Sequence, residues 1–332
     1  MRILIATDAW EPQVNGVVTT LKKIQQNLEH VMFITPNDFA CIDLPFYNEI
    51  KLARVQQDRL EIAVNLYCPD YIHIATEGPI GLAVRKWCIK NNKRFTTSYH
   101  TKFPEFLKAY FNVPTWMTYW YFRWFHSASS GVMVATESLK KDLEERGFKN
   151  LVEWTRGVDV DQFVPSLTHS TFIKKLLYVG RVSKEKNIED FLKLNMNPIT
   201  YKKIVVGDGP DLERLKSIYK MVEFVGYKSG AELAKYYQDA DVFVFPSRAD
   251  TFGLVIIEAL ASGTPVAAYD VTGPKDILTE KTGAMNDNLE IAIKKALTLN
   301  RADCVEHSKN YSWKNAVNMF LSNLVESDSN LK

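Results

Sequence analysis

The 332-residue sequence predicts an α/β protein built from two doubly wound, Rossmann-like parallel-sheet domains in tandem. Short β-branched runs alternate with amphipathic stretches from one end to the other, the pattern of strands joined by crossover helices. The length accommodates two ordinary domains, and 46% hydrophobic with 24% charged residues is normal for a globular chain with a sizeable core in each half. The periodicity breaks at Arg156-Gly-Val-Asp-Val-Asp-Gln-Phe-Val-Pro165, where a glycine, two acids and a proline fall within ten residues. The expected domains are therefore residues 1–156 and 157–332, with the last helix left free to cross back to the first.

In the first half, residues 2–7, 31–35, 71–75, 94–99, 131–135 and 151–154 read as strands, and 17–28, 81–91 and 138–146 as helices between them. In the second half, residues 175–179, 203–206, 223–225, 242–245 and 265–269 repeat the scheme. Residues 166–171 are polar and loop-like, and 327–332 read as a frayed tail. Doubly wound sheets bind ligands at the carboxyl ends of their strands, so two such domains facing each other imply a ligand cleft.

Cys41, Cys68, Cys88 and Cys304 lack CxxC or finger spacing, which argues against a disulfide framework or a zinc site. The opening MRILIATDAW lacks the regions of a signal peptide, and no apolar run reaches the roughly 20 residues of a spanning helix. The expectation is a cytoplasmic protein. A formal net charge of +2 argues against nucleic acid as an obligate partner.

Chemistry-bearing residues cluster at the expected strand ends. Gly180-Arg-Val-Ser-Lys-Glu-Lys186 releases Arg181 and Lys186 into a loop where a guanidinium fork and an ammonium can neutralise a diphosphate; alone, it reads equally as a solvated turn. Gly207-Asp-Gly-Pro210 brackets an acid with glycines that let backbone approach a ligand, or is simply a tight β-α turn. In Arg248-Ala-Asp-Thr-Phe-Gly-Leu254, an acid precedes a glycine turn that opens a helix. The amides of Phe252, Gly253 and Leu254, beside Thr251, suit a phosphate or sugar hydroxyls. Glu258 follows within that helix, as a second grip on the same ligand or as a charge paired on a partly buried face.

Together these motifs resemble the retaining glycosyltransferases of family 4, which have the GT-B fold, over nearly the whole chain. Asp250 and Glu258 match the family's two acids with seven residues between them, with Asp where Glu is more usual. The resemblance implies that Arg181 and Lys186 hold the donor diphosphate and stabilise the departing nucleoside diphosphate. It implies further that Glu258 binds the ribose hydroxyls and Asp250 the donor-sugar hydroxyls, and that no metal is required. In the first half Pro12-Gln-Val-Asn-Gly-Val-Val18 supplies Asn15 and, as the resemblance implies, Gly16 as the glycine beside the phosphate; alone, Asn-Gly is most often a turn. Glu77, His100 and Lys102 fall at further strand ends, and the resemblance sets His100 against the donor sugar.

Residues 109–125, AYFNVPTWMTYWYFRWF, combine an aromatic density that suits a membrane interface with a length too short to span; the alternative is a helix packed on the first sheet. Trp116, Trp120, Arg123 and Trp124 are the expected membrane contacts, with Arg85, Lys86, Lys90 and Lys93 as further partners for anionic headgroups. TDAWEPQVNGVV, ATEGPIG and SYHTKFPEF look most like the family's lipid-glycosylating members. The expectation is a peripheral enzyme moving a hexose or hexuronic acid from a UDP- or GDP-sugar to a lipid such as diacylglycerol. The alternatives are a soluble or polysaccharide acceptor, a nucleotide-sugar-binding module and a sugar epimerase.

Overall fold

The computed structural model describes residues 1–44, 47–166 and 172–328. Most of the 166–171 loop and the last four residues of the expected tail lie outside them. The chain divides into two compact units, 1–108 with 112–155 and 314–332, and 156–313 with 109–111.

The first half runs β1 (Ile3–Ala6), α1 (Gly16–Asn27), β2 (Val31–Ile34), β3 (Cys41–Leu44), β4 (Tyr47–Ala53), α2 (Gln57–Tyr67), β5 (Tyr71–Ile74) and α3 (Pro79–Lys90). It continues with β6 (Thr96–Tyr99), α4 (Phe103–Phe111), α5 (Thr115–His126), β7 (Gly131–Val134), α6 (Glu137–Glu145) and β8 (Leu151–Glu153). The sheet order β2-β1-β5-β6-β7-β8 is parallel throughout, and β3 pairs with β4 as a separate antiparallel hairpin that the sequence pattern does not announce. Because strand side chains alternate, Leu4 and Ala6 join Ile72, Ile74, Val84 and Trp87 on one face, while Ile3 and Ile5 join Leu21, Ile24, Trp154 and Phe320 on the other. Phe320 comes from α14 (Trp313–Asn323), and the Trp154 indole donates to the Ala316 carbonyl at 3.0 Å. The expected fraying from residue 327 is corrected there: Ser327 is buried, its amide bonds the Asp70 carbonyl at 2.8 Å and its carbonyl accepts from Arg94 N at 2.8 Å.

The second half runs β9 (Lys174–Val179), α7 (Ile188–Leu192), β10 (Tyr201–Val206), α8 (Leu212–Ile218), β11 (Glu223–Gly226), α9 (Gly230–Asp239) and β12 (Val242–Phe245). After it come α10 (Leu254–Ala261), β13 (Val266–Ala268), α11 (Pro274–Ile277), β14 (Gly283–Met285), α12 (Leu289–Ala296) and α13 (Arg301–Ser308). Its parallel sheet is ordered β11-β10-β9-β12-β13-β14. Val-Phe-Val-Phe in β12 is buried at every position, as a central strand covered on both faces must be. In each sheet the winding reverses beside the first strand, between β1 and β5 and between β9 and β12. Such a switch point leaves the carboxyl ends of two neighbouring strands free of crossing helices, which is where an open α/β sheet takes a ligand.

Candidate active site

The loops that follow β9 and β12 meet at the switch point of the second sheet. Gly180 follows β9, Arg181 comes next and is half-buried, and a single 3-10 turn over Lys184–Lys186 carries the lysine. The Tyr178 hydroxyl donates to the Arg181 carbonyl at 2.6 Å, and Val182 N donates to Asp208 O at 2.8 Å, which ties this loop to the one after β10. Gly207 has φ +139, and a methyl group there would stand 1.9 Å from the Gly180 carbonyl oxygen. The space a Cβ of Gly207 would take is filled by protein backbone, so the glycine serves the packing of one loop on the other, in keeping with the tight-turn alternative.

Lys186 Nζ reaches across from the β9 loop to Asp250 Oδ1, 64 residues on, at 2.5 Å. Two groups expected to hold different parts of a donor therefore begin as partners. The loop that carries Asp250 turns at Gly253, which adopts φ +96 as the N-cap of α10, a left-handed conformation that favours glycine. Thr251 and Phe252 are buried, with Phe252 edge-on to Tyr311. Leu254 opens α10; Ile256 N bonds the Gly253 carbonyl at 2.9 Å, while the amides of Leu254 and Val255 lie in the first turn, ahead of the helix's own carbonyls. One turn further, Glu258 accepts from the Tyr237 hydroxyl at 3.0 Å. Burial lifts the Glu258 carboxyl to about 7, against the opposing pull of the Tyr237 hydrogen bond. Tyr237 lies on α9, where no local pattern marks it as a partner for Glu258.

The candidate residues of the first half sit at the other sheet's switch point, and most are committed to internal contacts. Asn15 caps α1, its Oδ1 accepting from Val17 N and Val18 N at 3.0 Å each, and exposed Gly16 is the first helical residue. The Glu77 carboxylate meets buried His126 Nε2 at 3.1 Å, and its carbonyl accepts from the Tyr121 hydroxyl at 2.9 Å. His126 in turn contacts Thr97 Oγ1 at 2.8 Å. His100 is half-buried with its ring 5.6 Å from that of Trp154, and Lys102 lies 3.9 Å from Asp142. The residue the sequence undervalued is Asp8, whose carboxylate accepts from Ile80 N at 2.8 Å, Gly81 N at 3.2 Å and Thr76 Oγ1 at 2.8 Å, capping α3. Burial raises its carboxyl and these donors oppose the rise. An acid closing an apolar strand was the available signal.

The aromatic segment forms α4 and α5. On α5, Thr118, Tyr119, Phe122, Phe125 and His126 are buried, whereas Trp116 (71%), Trp120 (61%) and Trp124 (40%) are exposed together with Met117 and Arg123. The segment is therefore core on one face and an exposed tryptophan stripe on the other. Arg85, expected at a headgroup, is instead buried: its Nε donates to Phe125 O at 2.8 Å and its Nη2 to Trp124 O at 3.0 Å, and its guanidinium lies 4.1 Å over the Trp124 ring. It closes the carboxyl end of α5. Lys90 and Lys93 pair with Glu61 and Asp328. Among the described residues no helix is long and apolar enough to cross a membrane, and no group of three or more His, Cys, Asp or Glu can hold a metal ion.

Comparison with known proteins matches residues 17–162 to the family described as Glycosyltransferase Family 4 and residues 159–309 to Glycosyl transferases group 1. A GDP-mannose-dependent alpha-mannosyltransferase of Mycobacterium tuberculosis is 28% identical over 86% of this chain and 83% of its own length. An alpha-monoglucosyldiacylglycerol synthase of Streptococcus pneumoniae is 30% identical over 85% and 74%. The sulfoquinovosyl transferase SQD2 of Arabidopsis thaliana is 30% identical over 80% of this chain and 56% of its own. Among solved structures, a sucrose-phosphate synthase from Thermosynechococcus elongatus superposes with a TM-score of 0.75, 19% identity and 97% of each chain covered. Anabaena HepE, solved with UDP and glucose, gives 0.71 at 14% identity over 97% and 98%.

Proposed function

The chain belongs to glycosyltransferase family 4, with the GT-B fold, and on that premise we propose that it transfers a hexose or hexuronic acid from a nucleoside-diphosphate sugar to a membrane lipid, diacylglycerol above all, with retention of configuration. The observation that carries the lipid acceptor is the exposed Trp116, Trp120 and Trp124 stripe with Arg123 on α5. Trp116 and Trp120, exposed on a helix whose other face is already buried, have apolar bodies without cover, as has the face of Trp124 away from Arg85, and a bilayer interface covers them while leaving the indole N–H hydrated. The pneumococcal relative, an alpha-monoglucosyldiacylglycerol synthase, supports the same acceptor class. The mannosyltransferase relative supports a second choice of donor, GDP-mannose.

In this reading Arg181 and Lys186 take the diphosphate. An ammonium has three donors, so Lys186 can keep Asp250 while it binds a phosphate oxygen, which holds Asp250 beside the sugar hydroxyls. Glu258 accepts the ribose hydroxyls and does so best when ionised. The α10 amides and the two cations stabilise the charge that grows on the departing nucleoside diphosphate as the glycosidic bond breaks. The acceptor hydroxyl attacks from the same face and passes its proton to the leaving phosphate. Gly16 lies beside the donor phosphate and His100 against the donor sugar, while Asn15, Glu77 and Lys102 belong with His100 to the acceptor side. The enzyme works at the inner face of the cell membrane as a peripheral protein.

Purified protein offered a panel of UDP- and GDP-sugars with diacylglycerol vesicles is expected to yield a glycolipid detectable by mass spectrometry. In parallel it is expected to cosediment with anionic vesicles at low salt, and replacing Trp116, Trp120 and Trp124 by Ser is expected to abolish this. Transfer to soluble acceptors alone, with no vesicle binding, would overturn the lipid assignment.

A further inference from the structure

We infer that Arg248 is a specificity residue of this active site, holding an oxyanion (carboxylate, sulfonate or phosphate) carried by one of the two substrates next to the transferred sugar. The inference rests on the glycosyltransferase reading and on the sugar lying at Asp250. Arg248 leaves the carboxyl end of β12 two residues before Asp250, at the switch point of the second sheet. Its guanidinium carbon lies over the Tyr269 ring, 3.5 Å from the centroid, with a side-chain hydrogen-bond contact to the Tyr269 hydroxyl. Tyr269 is buried at the end of β13, and its hydroxyl donates to Asp190 Oδ2 at 2.9 Å, so the platform is fixed at both ends. A guanidinium carries five N–H donors, so its contact with Tyr269, ring and hydroxyl, leaves others for a carboxylate or phosphate, which an arginine can bind bidentately.

Charge balance points the same way. Lys186 is paired with Asp250, Lys275 with Asp270 at 3.4 Å, and Arg214 with Glu189 at 2.8 Å. Arg248 is exposed, and among the described residues no carboxylate forms an ion pair with it. An ordinary surface arginine moves through many rotamers; this one is immobilised on an aromatic ring at the ligand edge with its charge left for a partner. A neutral hexose on a neutral lipid would not use it. An acidic sugar, or a lipid with a phosphate in its headgroup, would.

The test compares wild type, Arg248→Ala and Arg248→Lys in two arms. The first measures displacement affinities of UDP and GDP, then of an acidic and a neutral sugar on whichever base binds: UDP-glucuronate against UDP-glucose, or GDP-mannuronate against GDP-mannose. The second measures kcat/KM for phosphatidylinositol against diacylglycerol, each diluted in phosphatidylcholine vesicles. R248A is expected to leave the nucleoside diphosphate affinity unchanged and to lower the acidic-over-neutral ratio at least about tenfold in one arm. R248K is expected to recover only a minor part of it, since the fork is lost. The donor arm assigns the oxyanion to the sugar, the acceptor arm to the headgroup. Ratios within about twofold of wild type in both arms, or acidic and neutral members falling together alongside a lower Tm, would overturn the inference and leave Arg248 as a clamp on Tyr269. Failure of every lipid to accept sugar sinks the lipid reading while the displacement arm still decides Arg248.

Discussion

At the switch point of the first sheet, Asp8 caps α3 through two amides and Glu77 is held against His126 in the interior, whereas at that of the second, Asp250 rests on a lysine from another loop and Glu258 on a tyrosine hydroxyl. The difference is one of replaceability. A carboxylate that satisfies helix amides cannot leave them without orphaning buried donors, so its contribution is to stability. A lysine or a phenol can be exchanged for, or shared with, ligand groups of the same chemistry, so in the proposed function acids held that way trade partners with the donor.

The largest expected effect tests the second edge. Arg181→Ala or Lys186→Ala is expected to cut turnover roughly 10²–10³-fold, about 3–4 kcal/mol on the barrier, with little change in Tm. Initial rates alongside thermal melts check it, and near-normal rates would remove the distinction between the edges.

Glu258→Gln sharpens the comparison through pH. A carboxyl lifted to about 7 stays protonated in the folded chain while it ionises near 4.5 in the unfolded one, so folding takes up a proton between these values. Stability is full below about pH 4.5, falls as pH rises, and has lost roughly 3 kcal/mol above pH 7. Glutamine has no such linkage, so urea titrations should show the variant gaining on wild type from pH 5 to pH 8. A gap that does not vary with pH refutes it.

Gly207→Ala is next, expected to cost about 2–3 kcal/mol of unfolding free energy, because a methyl group would drive the β9 and β10 loops apart. Denaturant midpoints read this directly. Smallest is Asp8→Ala at the first edge, about 1–2 kcal/mol from the lost cap. If it abolished turnover with the melting curve unmoved, Asp8 would belong to the chemistry and the first edge would resemble the second.

Much of the secondary structure was legible because a parallel strand covered on both faces needs an unbroken apolar run. β12 has the bounds the pattern assigns it, and β1, β5 and β7 each end one residue before the expected limit. The β3–β4 hairpin was not legible, since its strands lie outside the parallel scheme. Nor was β14, whose Gly-Ala-Met carries no β-branched residue and is a strand only because β13 lies beside it. On α5 the aromatic density was visible, but an aromatic does not declare which face of its helix will be covered; packing chose Phe122 and Phe125 for the core and left Trp116 and Trp120 outside.

The sequence by itself determined the α/β architecture and the family, because both rest on local pattern: strand-length apolar runs, glycine turns and charged loops at fixed spacing. The tertiary structure alone decided which charges are already partnered. Lys186 finds Asp250 across 64 residues, Arg85 is drawn from the surface to close α5, and Arg248 is laid on Tyr269. Periodicity sorts residues into faces, but the partner of a charge depends on which strand ends the winding of the sheet brings side by side.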